Sequence, residues 1–141
     1  MSTPAENKAV VRRMIDELWN QQKLDVADEL FSADATAPDL PQLPPGPMGT
    51  KIVAQMFLGA FPDLKMVIED MVAEEDRVAV RFTETATHTG DFMGIPASGK
   101  PVKFTEMAFL TVKDGKITSS WYNVDMMSIM QQIGAIPGPG G

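Results

Sequence analysis

The hydrophobic period of this chain changes once, near residue 64, and that change limits the fold more than any other feature. Before it, apolar residues recur at three- and four-residue spacing. Val10, Val11, Met14, Ile15 and Leu18 form one stripe between about Glu6 and Asn20, and Ile52, Val53, Met56, Phe57 and Phe61 form another ahead of Pro62. Such stripes describe amphipathic helices. From Leu64 onward the spacing is two, as in Arg77-Val78-Ala79-Val80-Arg81-Phe82, which describes strands with one buried face. Helices followed by an antiparallel meander predict an α+β domain with the helices on one face of the sheet.

Local signals set the boundaries. Asp25 is a candidate cap for a second helix carrying Val26, Leu30 and Phe31, and Thr50 for the third. Between them, Pro38, Pro41, Pro44, Pro45 and Pro47 exclude regular helix, because proline lacks the amide donor and restricts its predecessor. Four strands are predicted, opening at 64–68 and continuing at 77–89, 100–113 and 117–124, with Glu74-Glu75-Asp76 and Asp114-Gly115 as turns and 90–99 as a loop. A closing helix over 126–133 ends with Gly134 at the C′ position. The whole chain, 1–141, reads as one domain, with 137–141 a flexible Pro/Gly tail.

Composition removes several function classes. A net charge of −7 without a Lys/Arg cluster argues against nucleic acid and anionic membrane. With no Cys there is no thiolate nucleophile or disulfide framework, and one His offers little to zinc. The polar N-terminus has no signal-like apolar core, and no apolar run reaches membrane-spanning length. These features predict a soluble, cytoplasmic protein that works without an obvious metal.

The candidate chemistry lies on the strands. Asp125 stands where the last strand hands over to the closing helix, the position of a general base or of a helix cap. His88, the only imidazole, shares the face of Val80, Phe82 and Glu84; it can polarise a carbonyl there or satisfy a loop carbonyl near Gly90. By alternation Glu84 and Glu106 both fall on apolar faces, where two acids near one cavity raise one another's pKa, unless a bulge turns them toward surface cations. Ile117, Trp121, Asn123 and Asp125 alternate on one face of the last strand, so Trp121 and Asn123 are candidate substrate contacts. Phe57 and Phe61 are candidates for an apolar wall, although helical spacing equally makes them, with Trp19, packing residues.

Several stretches in order resemble one family. They are Glu17-Leu18-Trp19-Asn20-Gln21-Gln22-Lys23-Leu24-Asp25 leading to Leu30-Phe31, then Ala60-Phe61-Pro62-Asp63-Leu64, and Asp76-Arg77-Val78-Ala79-Val80. Thr87-His88-Thr89-Gly90-Asp91-Phe92-Met93-Gly94-Ile95-Pro96-Ala97-Ser98-Gly99-Lys100 follows, then Asp114-Gly115-Lys116-Ile117, Trp121, Asp125 and Gln131-Gln132-Ile133-Gly134. The chain resembles the SnoaL-like polyketide cyclases (ester cyclases) of the nuclear-transport-factor-2-like superfamily, over nearly its whole length. The resemblance implies a cone-shaped α+β barrel and a homodimer. It also implies a hydrophobic small-molecule substrate and cofactor-free intramolecular aldol closure of a polyketide methyl ester, with Asp125 at the position of the base. Family members often carry a His near the end of the second helix; here Asp34-Ala35-Thr36-Ala37-Pro38-Asp39 has none, so either the pocket is more apolar at that point or Asp39 takes over a polar role. A fold hosts many functions. The alternatives are a non-catalytic small-molecule binder, an epoxide hydrolase or isomerase-like pocket enzyme, and an interaction module.

Overall fold

The computed structural model describes residues 2–138. The tail expected over 137–141 therefore lies, from residue 139 on, outside the described residues. The chain opens with helix α1 (Pro4–Arg13), which is set by a reciprocal cap. Thr3 Oγ1 accepts the Glu6 amide at 3.1 Å and Glu6 Oε1 accepts the Thr3 amide at 2.8 Å. The helix continues as a wider π-helical stretch, Met14–Asn20, in which the Gln21 amide reaches back to the Asp16 carbonyl. Asn20 holds that end in place: its amide side chain donates to the Met66 carbonyl (3.0 Å) and accepts the Met66 amide (2.8 Å), standing in for a neighbouring strand.

The second helix differs from expectation. Leu24–Val26 is one 3₁₀ turn and α2 covers only Ala27–Leu30, because Phe31–Thr36 leaves the helix as strand β1. The sheet thus has five strands, and Asp25 lies inside the turn, paired with Lys51 at 3.4 Å rather than capping a helix. The pairing that makes β1 a strand is long-range and parallel, to β5, so nothing local announces it. Helix α3 (Pro47–Ala60) begins three residues before Thr50, directly behind Gly46. Gly46 has φ +84°, and a Cβ there would come 2.6 Å from the Ala33 carbonyl oxygen, so the approach to β1 requires glycine.

Strands β2 (Lys65–Glu74), β3 (Arg77–Thr87), β4 (Pro101–Lys113) and β5 (Lys116–Val124) then form the expected meander, and α4 (Met126–Gln132) closes the chain. The sheet order is β1-β5-β4-β3-β2, curved and open. Val11, Met14, Ile15 and Leu18 pack on its inner face against residues such as Val78, Val80, Leu110 and Val112.

One bulge changes the reading of β5. Ile117 pairs with Val112 but Ser119 pairs with Thr111, so Thr118 is extra and the alternation shifts by one. Ser120, Tyr122 and Val124 consequently share the inner side with Ile117, whereas Trp121 and Asn123 fall in the outer rows, opposite Phe109 and Met107. The expectation that Trp121, Asn123 and Asp125 share the face of Ile117 is corrected by that single residue.

Candidate active site

A cavity of about 470 Å³ opens between the inner face of the sheet, β1, helix α3 and the Pro-rich connection of residues 37–46. Its apolar wall includes Trp19, Phe31, Val53, Met56 and Phe57, and its polar groups include Asp39, Glu84, Glu106, Ser120 and Tyr122. No Lys, Arg or His is among the residues that line it.

Glu84 and Glu106 are the chemical centre of this wall. They point inward from neighbouring strands, Glu84 level with Phe104 and Glu106 level with Phe82, so they are diagonal neighbours. Glu84 is 1% exposed and Glu106 half-buried. Burial raises the pKa of both, and their mutual hydrogen bond and charge raise Glu84 further. Burial disfavours the charged form, and two such charges in contact disfavour each other, so the pair retains a proton where free carboxyls have lost theirs. The proton belongs mainly to the more deeply buried Glu84. Its Oε2 is buried and has no hydrogen-bond partner in the protein.

Tyr122 stands on the next strand. Its hydroxyl donates to the thioether of Met14 at 4.0 Å, and burial, with Glu106 and Asp39 nearby, pushes its pKa up to about 12. The phenol is therefore a neutral donor at physiological pH.

The other sequence candidates lie elsewhere. Asp125 is exposed and does not line the cavity, although Val124 and Met126 on either side of it do. Its Oδ1 accepts the Ser128 amide at 3.1 Å, so it is the N-cap of α4. His88 is fully buried but away from the cavity lining. The Ser98 amide donates to His88 Nδ1 at 3.1 Å, which places the ring proton on Nε2, and the ring packs 5.6 Å from that of Phe61. Around it, the His88 amide donates to the Lys100 carbonyl and the Gly99 amide to that of His88, pinning the 90–99 loop. The Thr89 and Gly90 amides cap the Ala60 carbonyl at the end of α3, and a Cβ on Gly90 would collide with the Gly59 carbonyl oxygen. This stretch docks a loop.

Phe61 is fully buried core against Phe92, with ring centroids 5.2 Å apart, while Phe57 reaches the cavity wall with Trp19. Asn123 borders the cavity from an outer-row position, and Trp121 is 49% exposed on the far side of the sheet. The structure thus gathers Glu106, Phe57 and Asn123 around one cavity, and keeps Asp125, His88, Phe61 and Trp121 out of its lining. Sequence reading set Trp19 aside as packing, put Tyr122 on the face opposite Asn123, and gave the Pro-rich connection no part in the wall beyond Asp39. Inward alternation of Glu84 and Glu106 was the one local signal for the acid pair. Among the described residues no group of three or more His, Asp or Glu is arranged to hold a metal ion, and no helix is long and apolar enough to cross a membrane.

N-terminal helices on a curved, unclosed sheet match the nuclear-transport-factor-2-like cone fold. The chain belongs to the SnoaL-like polyketide cyclase family, whose sequence model matches residues 9–133. A search of the curated proteins finds no match. Among solved structures, AclR from Streptomyces galilaeus, a proposed hydroxylase, is 30% identical with a TM-score of 0.81, over 97% of this chain and 86% of that one. IdmH from Streptomyces antibioticus, a proposed polyketide cyclase, is 28% identical with a TM-score of 0.76, over 91% and 98% of the two chains. TsrD from Streptomyces laurentii superimposes with a TM-score of 0.88 over 96% of this chain and all of its own, at 21% identity, which supports the fold alone.

Proposed function

We propose that this chain is a cofactor-independent cyclase-type enzyme that closes a ring in a polyketide ester by proton abstraction next to a carbonyl, and that Glu106 is the base. The observation that carries this reading is the buried Glu84–Glu106 pair facing an otherwise apolar cavity. Glu84 holds the proton of the pair and, with substrate bound, turns it from Glu106 to the substrate carbonyl, which frees the Glu106 carboxylate. Glu106, ionised and of raised basicity, takes the proton from the adjacent carbon. A carbon acid between two carbonyls is acidic enough for a carboxylate of modestly raised pKa, and such general-base help is worth about 10²–10⁴-fold. The resulting carbanion attacks a second carbonyl of the same molecule, and the new alkoxide recovers the proton from Glu106. Trp19 and Phe57 supply flat surfaces that hold the chain folded, an entropic contribution of comparable weight.

Asp125 suits this role less. Its carboxylate caps a helix, is open to solvent and does not line the cavity. The test is turnover of an anthraquinone-type polyketide methyl ester, with product mass and chromatography, by wild type, Glu106→Gln and Asp125→Asn. Loss in Glu106→Gln alone supports the carboxyl pair. Loss in Asp125→Asn alone returns the base to Asp125.

A homodimer is part of the same proposal. Val72, Ala79, Phe109 and Trp121 stand in register across the outer face of β2 to β5, with Phe109 45% exposed. An apolar row of this kind on a solvent face suits a second copy. Sedimentation of wild type against Trp121→Asp tests it, and a wild-type monomer at micromolar concentration refutes it.

A further inference from the structure

We infer that Tyr122 is a further catalytic residue, donating its phenolic hydrogen to the second oxygen of a 1,3-dicarbonyl enolate while Glu84 serves the first. The inference rests on the carboxyl-pair reading above and extends it to a third strand.

The register supplies the geometry. Glu84 pairs with Phe104, Glu106 with Phe82 and Val124, and Tyr122 with Ala108. On the inner face, Glu106 is therefore the diagonal neighbour of both Glu84 and Tyr122, at a Cα spacing of about 7–8 Å to each. The base sits between two donors. A carbon acid flanked by two carbonyls has the matching shape, with the acidic carbon in the middle and an oxygen on either side. Removing its proton breaks the C–H bond, forms an O–H bond on Glu106, and spreads the electron pair over both oxygens. A simple ketone would leave one donor idle.

The present partner of the hydroxyl is consistent with this use. Tyr122 donates to the Met14 thioether at 4.0 Å, and sulfur is a weak acceptor, so the hydrogen bond is readily exchanged for an enolate oxygen. Ser120, itself buried, stands beside Tyr122 on the same inner row of β5. The high pKa of Tyr122 keeps the hydrogen in place across the working range of the carboxyl pair.

Two measurements on the full chain test the inference. In the first, Tyr122→Phe is compared with wild type and Glu106→Gln on an anthraquinone-type β-keto methyl ester. Loss of one oxyanion donor predicts a fall in kcat of about 10²-fold, with KM changed by less than about twofold. A Tyr122→Phe rate within about threefold of wild type, while Glu106→Gln is inactive, overturns the role of Tyr122 and leaves the carboxyl pair standing. A wild-type rate in Glu106→Gln overturns the carboxyl-pair reading instead, and the second measurement then judges Tyr122 by itself.

The second measurement uses the fact that the chain has 1 Tyr. Biosynthetic incorporation of fluorotyrosine places a single fluorine label at residue 122, without depending on whether Tyr122→Phe folds. Titration with an enolised cyclic 1,3-diketone is expected to move that fluorine resonance, and titration with the matching monoketone to move it much less. An unmoved resonance, or equal movement by both ligands, overturns the inference.

Discussion

Two acidic sites lie close together along this molecule, and their surroundings differ. Asp125 faces solvent at the start of α4 and accepts the Ser128 amide as a helix cap. Glu84 and Glu106 face each other in an apolar cavity with no cationic residue in the lining, and everything near them favours a retained proton. The same functional group is thus a helix cap in one place and part of a buried acid pair in the other. Burial and partner, rather than residue type, assign the role.

The sharpest way to break this comparison is to remove each acid as its amide. Glu106→Gln is expected to lower turnover by about 10²–10⁴-fold, against a change of less than about twofold for Asp125→Asn, since Asn remains a good cap. Steady-state rates on the polyketide ester decide it, and equal losses in the two variants would erase the distinction.

A second contrast is in stability against pH. A carboxyl with its folded pKa raised above the unfolded value of 4.5 has its stabilising proton fully in place below that value, and stability is lost as pH rises toward the folded pKa. Wild type is therefore expected to lose up to about 1.4 kcal/mol per pH unit on this account above pH 4.5, relative to Glu84→Gln. Urea midpoints of both proteins at pH 5, 7 and 9 give the slope, and parallel curves would remove the buried proton. By the same logic Glu84→Gln is expected to be at least as stable as wild type near pH 8 while turning over about 10²-fold more slowly, a trade between stability and activity. The smallest effect belongs to the cap. Asp125→Ala should cost about 0.5–2 kcal/mol, read as a lower melting temperature, with turnover retained.

Legibility of the site followed the range of the interactions. The inward positions of Glu84 and Glu106 were visible from alternation, because β3 and β4 pair in unbroken register over their shared length. Tyr122 was not visible. One extra residue, Thr118, flips the following side chains of β5, and the Ile117-Thr118-Ser119 sequence carries no glycine or other local mark of a bulge. The same flip sends Trp121 outward. His88 was visible as an inward residue, yet its use depends on Ser98 ten positions later and on Phe61 from another helix. Strand β1 was read as the tail of a helix because its partner, β5, lies some 80 residues away along the chain.

The sequence by itself determined the class of fold, since the change of hydrophobic period near residue 64, the Asp114-Gly115 turn and the Gly134 cap are local effects of sterics and patterning. It also determined family membership and the presence of inward acids. Only the tertiary structure decided which acid faces a cavity and which faces water, because that choice rests on strand register, one bulge and the loop of residues 37–46 folding over the sheet. Those are long-range events, and the protonation of a carboxyl is decided by what they bring around it.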